Sequence, residues 1–226
     1  MRVKIFPWLG QEFAHLSAEG NGQGSVEDEM AEVFQRFDNK LRQVGLTLAQ
    51  TVRSRFFAKD MDAWTAGNRQ RVQILSGAAR SVSSSHIWPE RLIGPARISV
   101  DMMAMYPPKD GSHKELQEYD PPTIVLRRMN WGGLLFLSGV TDMTHTTFDE
   151  QFPVIIKRLT DTLANGRGSW GEVQRASFYL HHDEKLEYLR ERFSEAVRVR
   201  IPSTDYSFVG TRQGKRLEIE LTAKLS

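Results

Sequence analysis

The chain has 226 residues, of which 40% are hydrophobic and 26% charged, and its formal net charge is +2. Those values belong to an ordinary globular protein of one large domain or two domains of about 110 residues each. Cysteine is absent, which excludes disulfides, thiolate nucleophiles, iron–sulfur clusters and cysteine-type zinc sites.

No apolar run approaches the roughly 20 residues that span a bilayer, so no membrane partner is expected. The segment Met1-Arg2-Val3-Lys4-Ile5 lacks the apolar stretch and small-residue cleavage site of a signal peptide. A cytoplasmic protein is the expectation. Basic residues are scattered among acidic ones rather than clustered, so no nucleic-acid partner is expected either.

In chain order, residues 3–19 predict a hairpin turning around Pro7-Trp8-Leu9-Gly10, followed by a polar glycine-rich loop at 19–24. That loop lacks the Lys-Ser/Thr signature of a phosphate loop. Ser25 with Asp28 resembles a capping box, and Met30, Val33, Phe34, Phe37 and Leu41 behind it form one apolar helical stripe ending near Gly45. A β-rich run covers 51–59, and a second helical pattern runs from Asp62 to about Gly77. A serine-rich strand follows over 80–87. Residues 97–105 alternate in the manner of a strand with one buried face.

Residues 106–122 are polar and bracketed by Pro107-Pro108 and Pro121-Pro122, which predicts a linker. Beyond it the pattern recurs. A hairpin is expected over 123–140 around Asn130-Trp131-Gly132-Gly133. Thr147 and Glu150 make a capping box before the stripe Phe148, Phe152, Ile155, Ile156, Leu159 and Leu163. Pro153 inside that stripe predicts a later helix start or a kink. A strand over 172–181 precedes a second helix striped by Leu186, Leu189, Phe193 and Val197, and 207–209 with 216–223 are expected to close the unit as a hairpin. Adjacent His181 and His182 would point to opposite faces of a strand, so no metal site is expected.

The two units share one order of elements at an offset of about 121 residues, with Ser17 aligned on Ser138 and Val52 on Val173. The expected fold class is α+β: two tandem β-β-α-β-α-β-β domains, each a mixed sheet with its helices packed on one face. The first domain is expected at 1–105, the linker at 106–122 and the second domain at 123–226.

The second unit resembles the Rid superfamily, the reactive intermediate deaminases also called YjgF/YER057c/UK114. The resemblance rests on Leu135-Phe136-Leu137-Ser138-Gly139, the capped helix, Trp170-Gly171-Glu172-Val173, and the closing string from Arg216 to Ala223. The first unit is similar in layout and weaker in motif. The resemblance implies a chorismate-mutase-like sandwich and a homo-oligomer with trimer-type interfaces. It also implies a small carboxylate metabolite as partner, bound in clefts between neighbouring domains, and no cofactor.

In that family an arginine after the second helix binds the substrate carboxylate, and a glutamate on the closing strand positions a water. A guanidinium fork suits a carboxylate and a positioned carboxylate relays protons. Carried over, the arginine falls on Arg80, supported by Ser83 to Ser85, with Arg97 as the rival alignment. The catalytic glutamate falls on Glu218, whose neighbours Leu217 and Ile219 face the other side of the strand. The backbone at Ser138 and Gly139 corresponds to the family's cleft lining. Ser99 stands at the glutamate position of the first unit and Thr204 at the arginine position of the second, so only a shared cleft has the full pair. Three functions follow as alternatives: hydrolytic deamination of an enamine or imine, a chorismatase-like hydrolysis, and a non-catalytic binding module.

Overall fold

Both predicted hairpins close on two residues of positive φ. Leu9 and Gly10 (φ 54° and 81°) join β1 (Lys4–Trp8) to β2 (Gln11–Glu19). Gly132 and Gly133 (φ 61° and 77°) join β7 (Arg128–Trp131) to β8 (Leu134–Leu137). Two consecutive left-handed residues give the turn whose twist matches the flanking strands. The two turns also meet, with Gln11 Nε2 donating to the Gly132 carbonyl at 3.0 Å. These features come from a computed structural model that describes residues 2–107, 114–121, 123–210 and 214–225.

The first unit continues through α1 (Val26–Arg42), β3 (Thr51–Ala58), α2 (Met61–Ile74), β4 (Val82–Ile87) and β5 (Ile98–Tyr106). In the second unit, β9 (Val140–Thr141), α3 (Phe148–Asn165), β10 (Val173–His181), α4 (Leu186–Val197), β11 (Ser203–Val209) and β12 (Leu217–Lys224) follow β8. The first sheet has the order β1-β2-β5-β3-β4. In the second, the run β11-β10-β12-β8-β7 is the same order read from the other end. In each unit one parallel pair, β3 with β4 or β10 with β11, sits in an otherwise antiparallel sheet. The duplication is therefore one of topology as well as of pattern.

Three details depart from the sequence expectations. First, β11 does not close a hairpin with β12; it starts at Ser203 and lies parallel to β10, which separates the two. Second, α3 starts at its capping box, with both Thr147–Glu150 bonds present, and runs through Pro153. Proline there removes one amide donor, and the buried stripe on either side holds the helix. Third, the segment read as a linker contains β6 (Glu115–Gln117), which pairs with β7 at the edge of the second sheet. Residues 108–113 and 122 of that segment lie outside the described residues.

Period-two alternation sorts each strand between two cores. In the first unit Ala14, Leu16 and Ala18 join Phe56, Ala58, Ile98 and Val100 under the stripes of α1 and α2. In the second, Leu135, Leu137, Leu217, Ile219 and Leu221 do the same under α3 and α4. The opposite faces meet each other. Phe13, Met105, Met129, Trp131, Leu134 and Phe136 form a third core between the halves. Phe13 and Phe136 meet there edge-on at 6.4 Å. The helices thus cover one face of each sheet, as predicted, and the halves cover the other.

Phe136 is fully buried in that inter-half core. Phe136→Ala is expected to destabilise the chain by about 3–5 kcal/mol, measured by urea unfolding. A loss below about 1 kcal/mol would show that this core carries little of the stability.

Candidate functional site

The alternation of β12 decides what lies between the halves. Leu217, Ile219, Leu221 and Ala223 enter the second core, so Glu218, Glu220 and Thr222 point toward the first unit. Burial of ionised groups demands partners, and both carboxylates are withdrawn from water, at 4% and 1% exposure.

Glu218 borders a cavity of about 400 Å³ built from both units. Ser84 and Ser85 of β4 and Trp64 of α2 come from the first; Gly139, Thr141, Arg158 and Lys215 come from the second. Tyr119, Thr123, Ile124 and Val125 supply the remaining wall. The volume falls within the roughly 300–1,000 Å³ usual for small-molecule sites.

The floor is a hydrogen-bonded seam. Gly139 N–H donates to the Ser83 carbonyl at 3.1 Å, and Ser83 N–H donates to Ser138 Oγ at 3.0 Å. Three of the residues expected at a cleft, Ser83, Ser138 and Gly139, are thereby brought together across the junction of the two units. Gly139 has a further requirement: a Cβ there would overlap the Glu218 carboxylate. The glycine lets the acid lie against the backbone of the turn.

Lys215 Nζ forms an ion pair with Glu218 Oε2, and both groups are buried. On its other side Glu218 Oε1 lies 3.9 Å from His86 Nε2. The His86 ring stacks on Tyr179 at 3.7 Å between centroids, and neither ring nitrogen has a hydrogen-bond partner. Burial, followed by the nearby Lys215 charge, drives the His86 pKa well below its ordinary value, so the imidazole is neutral at pH 7. Burial also raises the Tyr119 phenol, which keeps its proton. Arg158 reaches the cavity from α3, donating to the Thr141 carbonyl at 2.7 Å and lying 3.3 Å from Asp142 Oδ1.

Arg80 is placed differently. Its guanidinium is a bidentate partner of Glu118, at 2.8 and 2.7 Å, and also donates to the Ile124 carbonyl at 3.1 Å. It does not line the cavity. The fork that suits a ligand carboxylate holds the protein's own carboxylate, and it ties Glu118 to Ile124, which with Tyr119 and Thr123 walls the cavity. The rival Arg97 does not line the cavity either and pairs with Glu29 at the start of α1.

Two residues beyond Glu218, Glu220 anchors the seam. Arg55 donates to it from Nε at 3.0 Å and Nη2 at 2.7 Å, Ser84 Oγ donates to its other oxygen, and Arg53 Nε lies 3.5 Å away. Arg53 also donates to the Leu221 carbonyl at 2.9 Å and Thr222 Oγ1 at 3.0 Å. Burial works against ionisation of Glu220, and the two guanidiniums outweigh it, holding the carboxyl at about 2.

Lys215, Arg158, His86 and Glu220 escape a motif-based reading. The cations reach the cavity from α3 and from the approach to β12, and nothing in their spacing links them to Glu218. The one available signal is the alternation of β12, which places Glu220 on the face of Glu218. Among the described residues no group of three or more His, Cys, Asp or Glu is placed to hold a metal ion. No described helix is long and apolar enough to cross a membrane.

No family model matches the chain, and no curated protein matches it. Solved structures do. A chorismatase crystal structure aligns over 94% of this chain and 74% of its own, at a TM-score of 0.70 and 15% identity. Rv2704 from Mycobacterium tuberculosis, of the YjgF/YER057c/UK114 family, aligns over 50% of this chain and 100% of its own, at 0.44 and 18%. The Rid-family protein YyfA from Yersinia pestis aligns over the same shares at 0.46 and 15%. The chain therefore shares the fold of the chorismatase, and its two units repeat one strand order.

Because the folded pKa of Glu220 is depressed from 4.5 to about 2, its ionisation stabilises the chain above 4.5, and that contribution is lost as pH falls through 2. Glu220→Gln, which leaves Arg55 buried without its carboxylate, is expected to cost about 3–5 kcal/mol at neutral pH. The gap to wild type should narrow as the pH is lowered from 4.5 toward 2, read by urea titration across that range. A gap independent of pH would show that the charge of Glu220 does not matter.

Proposed function

We propose that the protein is a hydrolase for a small carboxylate-bearing metabolite, bound in the cavity between its two units. The observation that carries this reading is the meeting, at one cavity of about 400 Å³, of a buried acid, Glu218, with two cations, Arg158 and Lys215. Arg158 is the group suited to a ligand carboxylate, since its guanidinium retains donors beyond those given to Thr141 and Asp142. Trp64, Ile124 and Val125 offer apolar walls to the rest of the ligand.

The chemistry such a site supports is water addition to a polarised double bond beside a carboxylate. In a 2-aminoacrylate the Lys215 ammonium hands its proton to Glu218, whose carboxyl delivers it to the terminal carbon, leaving an iminium at C2. Water, deprotonated by the resulting Glu218 carboxylate, adds there, and the carbinolamine collapses to a 2-oxo acid and ammonia. An enol ether of the same acid follows the same sequence, through an oxocarbenium ion and a hemiketal, and releases an alcohol. The reading thus covers enamine or imine deamination and the hydrolysis of chorismate, which is an enol ether of this kind. The 0.70 TM-score to a chorismatase favours the enol ether. Position and charge of one acid account for about 10²–10⁴-fold of rate in such proton transfers.

The test is release of 2-oxo acid from chorismate and from 2-aminoacrylate generated in situ. Glu218→Gln should lower kcat by about 10²–10⁴ on the substrate that turns over. Arg158→Gln should mainly raise KM. Turnover by Glu218→Gln at the wild-type rate would overturn the assignment of the acid. Saturable binding of pyruvate without turnover of either substrate would replace the hydrolase by a binding module.

A further inference from the structure

On the same inter-half face, away from Glu218, lies a second cavity of about 150 Å³. Its walls carry three guanidiniums: Arg53 and Arg55 from β3 of the first unit and Arg175 from β10 of the second. His15 and Asp101 add polar groups, and Phe6, Met102 and Met103 complete the lining. The volume is below the roughly 300–1,000 Å³ of a site for a large metabolite. It exceeds by about tenfold or more the ~10–15 Å³ that one water needs.

Charge in this cavity does not balance. Arg175 has Asp205 at 2.8 Å, and Asp101, the one carboxylate among the lining residues, is taken by Arg91 at 2.7 Å. Arg53 and Arg55 share a single carboxylate, Glu220. Arg55 donates twice to its Oε2, whereas Arg53 Nε stays 3.5 Å away and has no hydrogen-bond partner although Arg53 is 5% exposed. Among the described residues, one positive charge therefore stands in the interior without a counter-ion of its own. A buried cation in that position is stabilised by an anion or pays heavily for its absence.

We infer that this cavity is a binding site for a small oxyanion, a carboxylate or a phosphate, held between the guanidiniums of the two units. Guanidinium donors match both oxyanions, and convergence from two strands gives the site its selectivity over halide. An anion there would tie β3 of one unit to β10 of the other. The site is separate from the Glu218 cavity: no lining residue is common to the two.

The experiment measures thermal unfolding and calorimetric binding with sodium phosphate and with sodium acetate, each against sodium chloride at equal ionic strength. Wild type should unfold at higher temperature in one oxyanion than in chloride, because a ligand of the native state alone stabilises it by mass action. A shift with phosphate alone assigns a tetrahedral dianion, and one with acetate assigns a carboxylate. Arg175→Gln, at a partly exposed side chain, should weaken binding by roughly tenfold or more, the loss of one charge-assisted pair. Asp101→Asn, which deletes the carboxylate of the wall, should tighten it, a gain that misfolding does not produce. Arg158→Gln, in the other cavity, should leave the phosphate shift, and the part of any acetate shift that depends on Arg175, unchanged. The inference is overturned by an absent shift in wild type, by an undiminished one in Arg175→Gln, or by its loss in Arg158→Gln. Turnover at Glu218 is read separately, so either proposal can fail alone.

Discussion

The carboxylate of Glu220 is the constraint on which the inter-half arrangement depends. It is an ionised group at 1% exposure, and such a group persists in the interior only if its partners replace the water it has lost. Arg55 and Ser84 of the first unit do so, with Arg53 close by. Since these partners sit on β3 and β4 and the acid on β12, the ion cluster sets how the two sheet faces meet. An apolar seam alone would leave that registry loose; a buried charge tolerates few placements. The registry in turn puts Glu218, two residues away on the same face, at the mouth of the cavity beside Gly139.

The two units have diverged in chemistry while keeping one topology. The first gives the Glu218 cavity hydroxyls, the Trp64 ring and the backbone of β4; the second gives it the acid and both cations. Where the second unit has Glu218 on its closing strand, the first has Ser99, which is buried at 2% exposure and makes no ion pair. The asymmetry has a physical consequence. Two facing sheets that each carried buried acids would repel across the seam, whereas acids on β12 facing arginines on β3 attract.

Much of the fold was legible in the pattern of residues, because alternation and helical stripes occur twice and each copy checks the other. The stripe from Met30 to Leu41 and the one from Phe148 to Leu163 bury as their spacing requires. The closing hairpin that the pattern predicts is absent among the described residues for an identifiable reason. The first half of β11 opens on the exposed polar Ser203 and Thr204 and continues through half-buried Asp205 and Tyr206, so it lacks the apolar alternation that marks a strand. Ser83, Ser138, Gly139 and Glu218, singled out by the family resemblance, lie together at the junction of the two units. Arg80 shows the limit of such reading. Its position in the chain suits a ligand, but what its guanidinium touches depends on where Glu118 falls, and residues 106–122 have no counterpart in the repeat. Lys215 and Arg158 are set by packing between distant elements, which no local pattern records.

The most direct test of a shared site is a crystal structure of the protein with pyruvate, the 2-oxo acid product common to both candidate reactions. The central claim requires pyruvate in the cavity between the units. Its carboxylate should meet Arg158, its carbonyl carbon should lie near Glu218, and Ser84 or Ser85 of the first unit should be in contact. Pyruvate bound through residues of one unit only, or bound to Arg80 with Glu118 displaced while the Glu218 cavity stays empty, would contradict it.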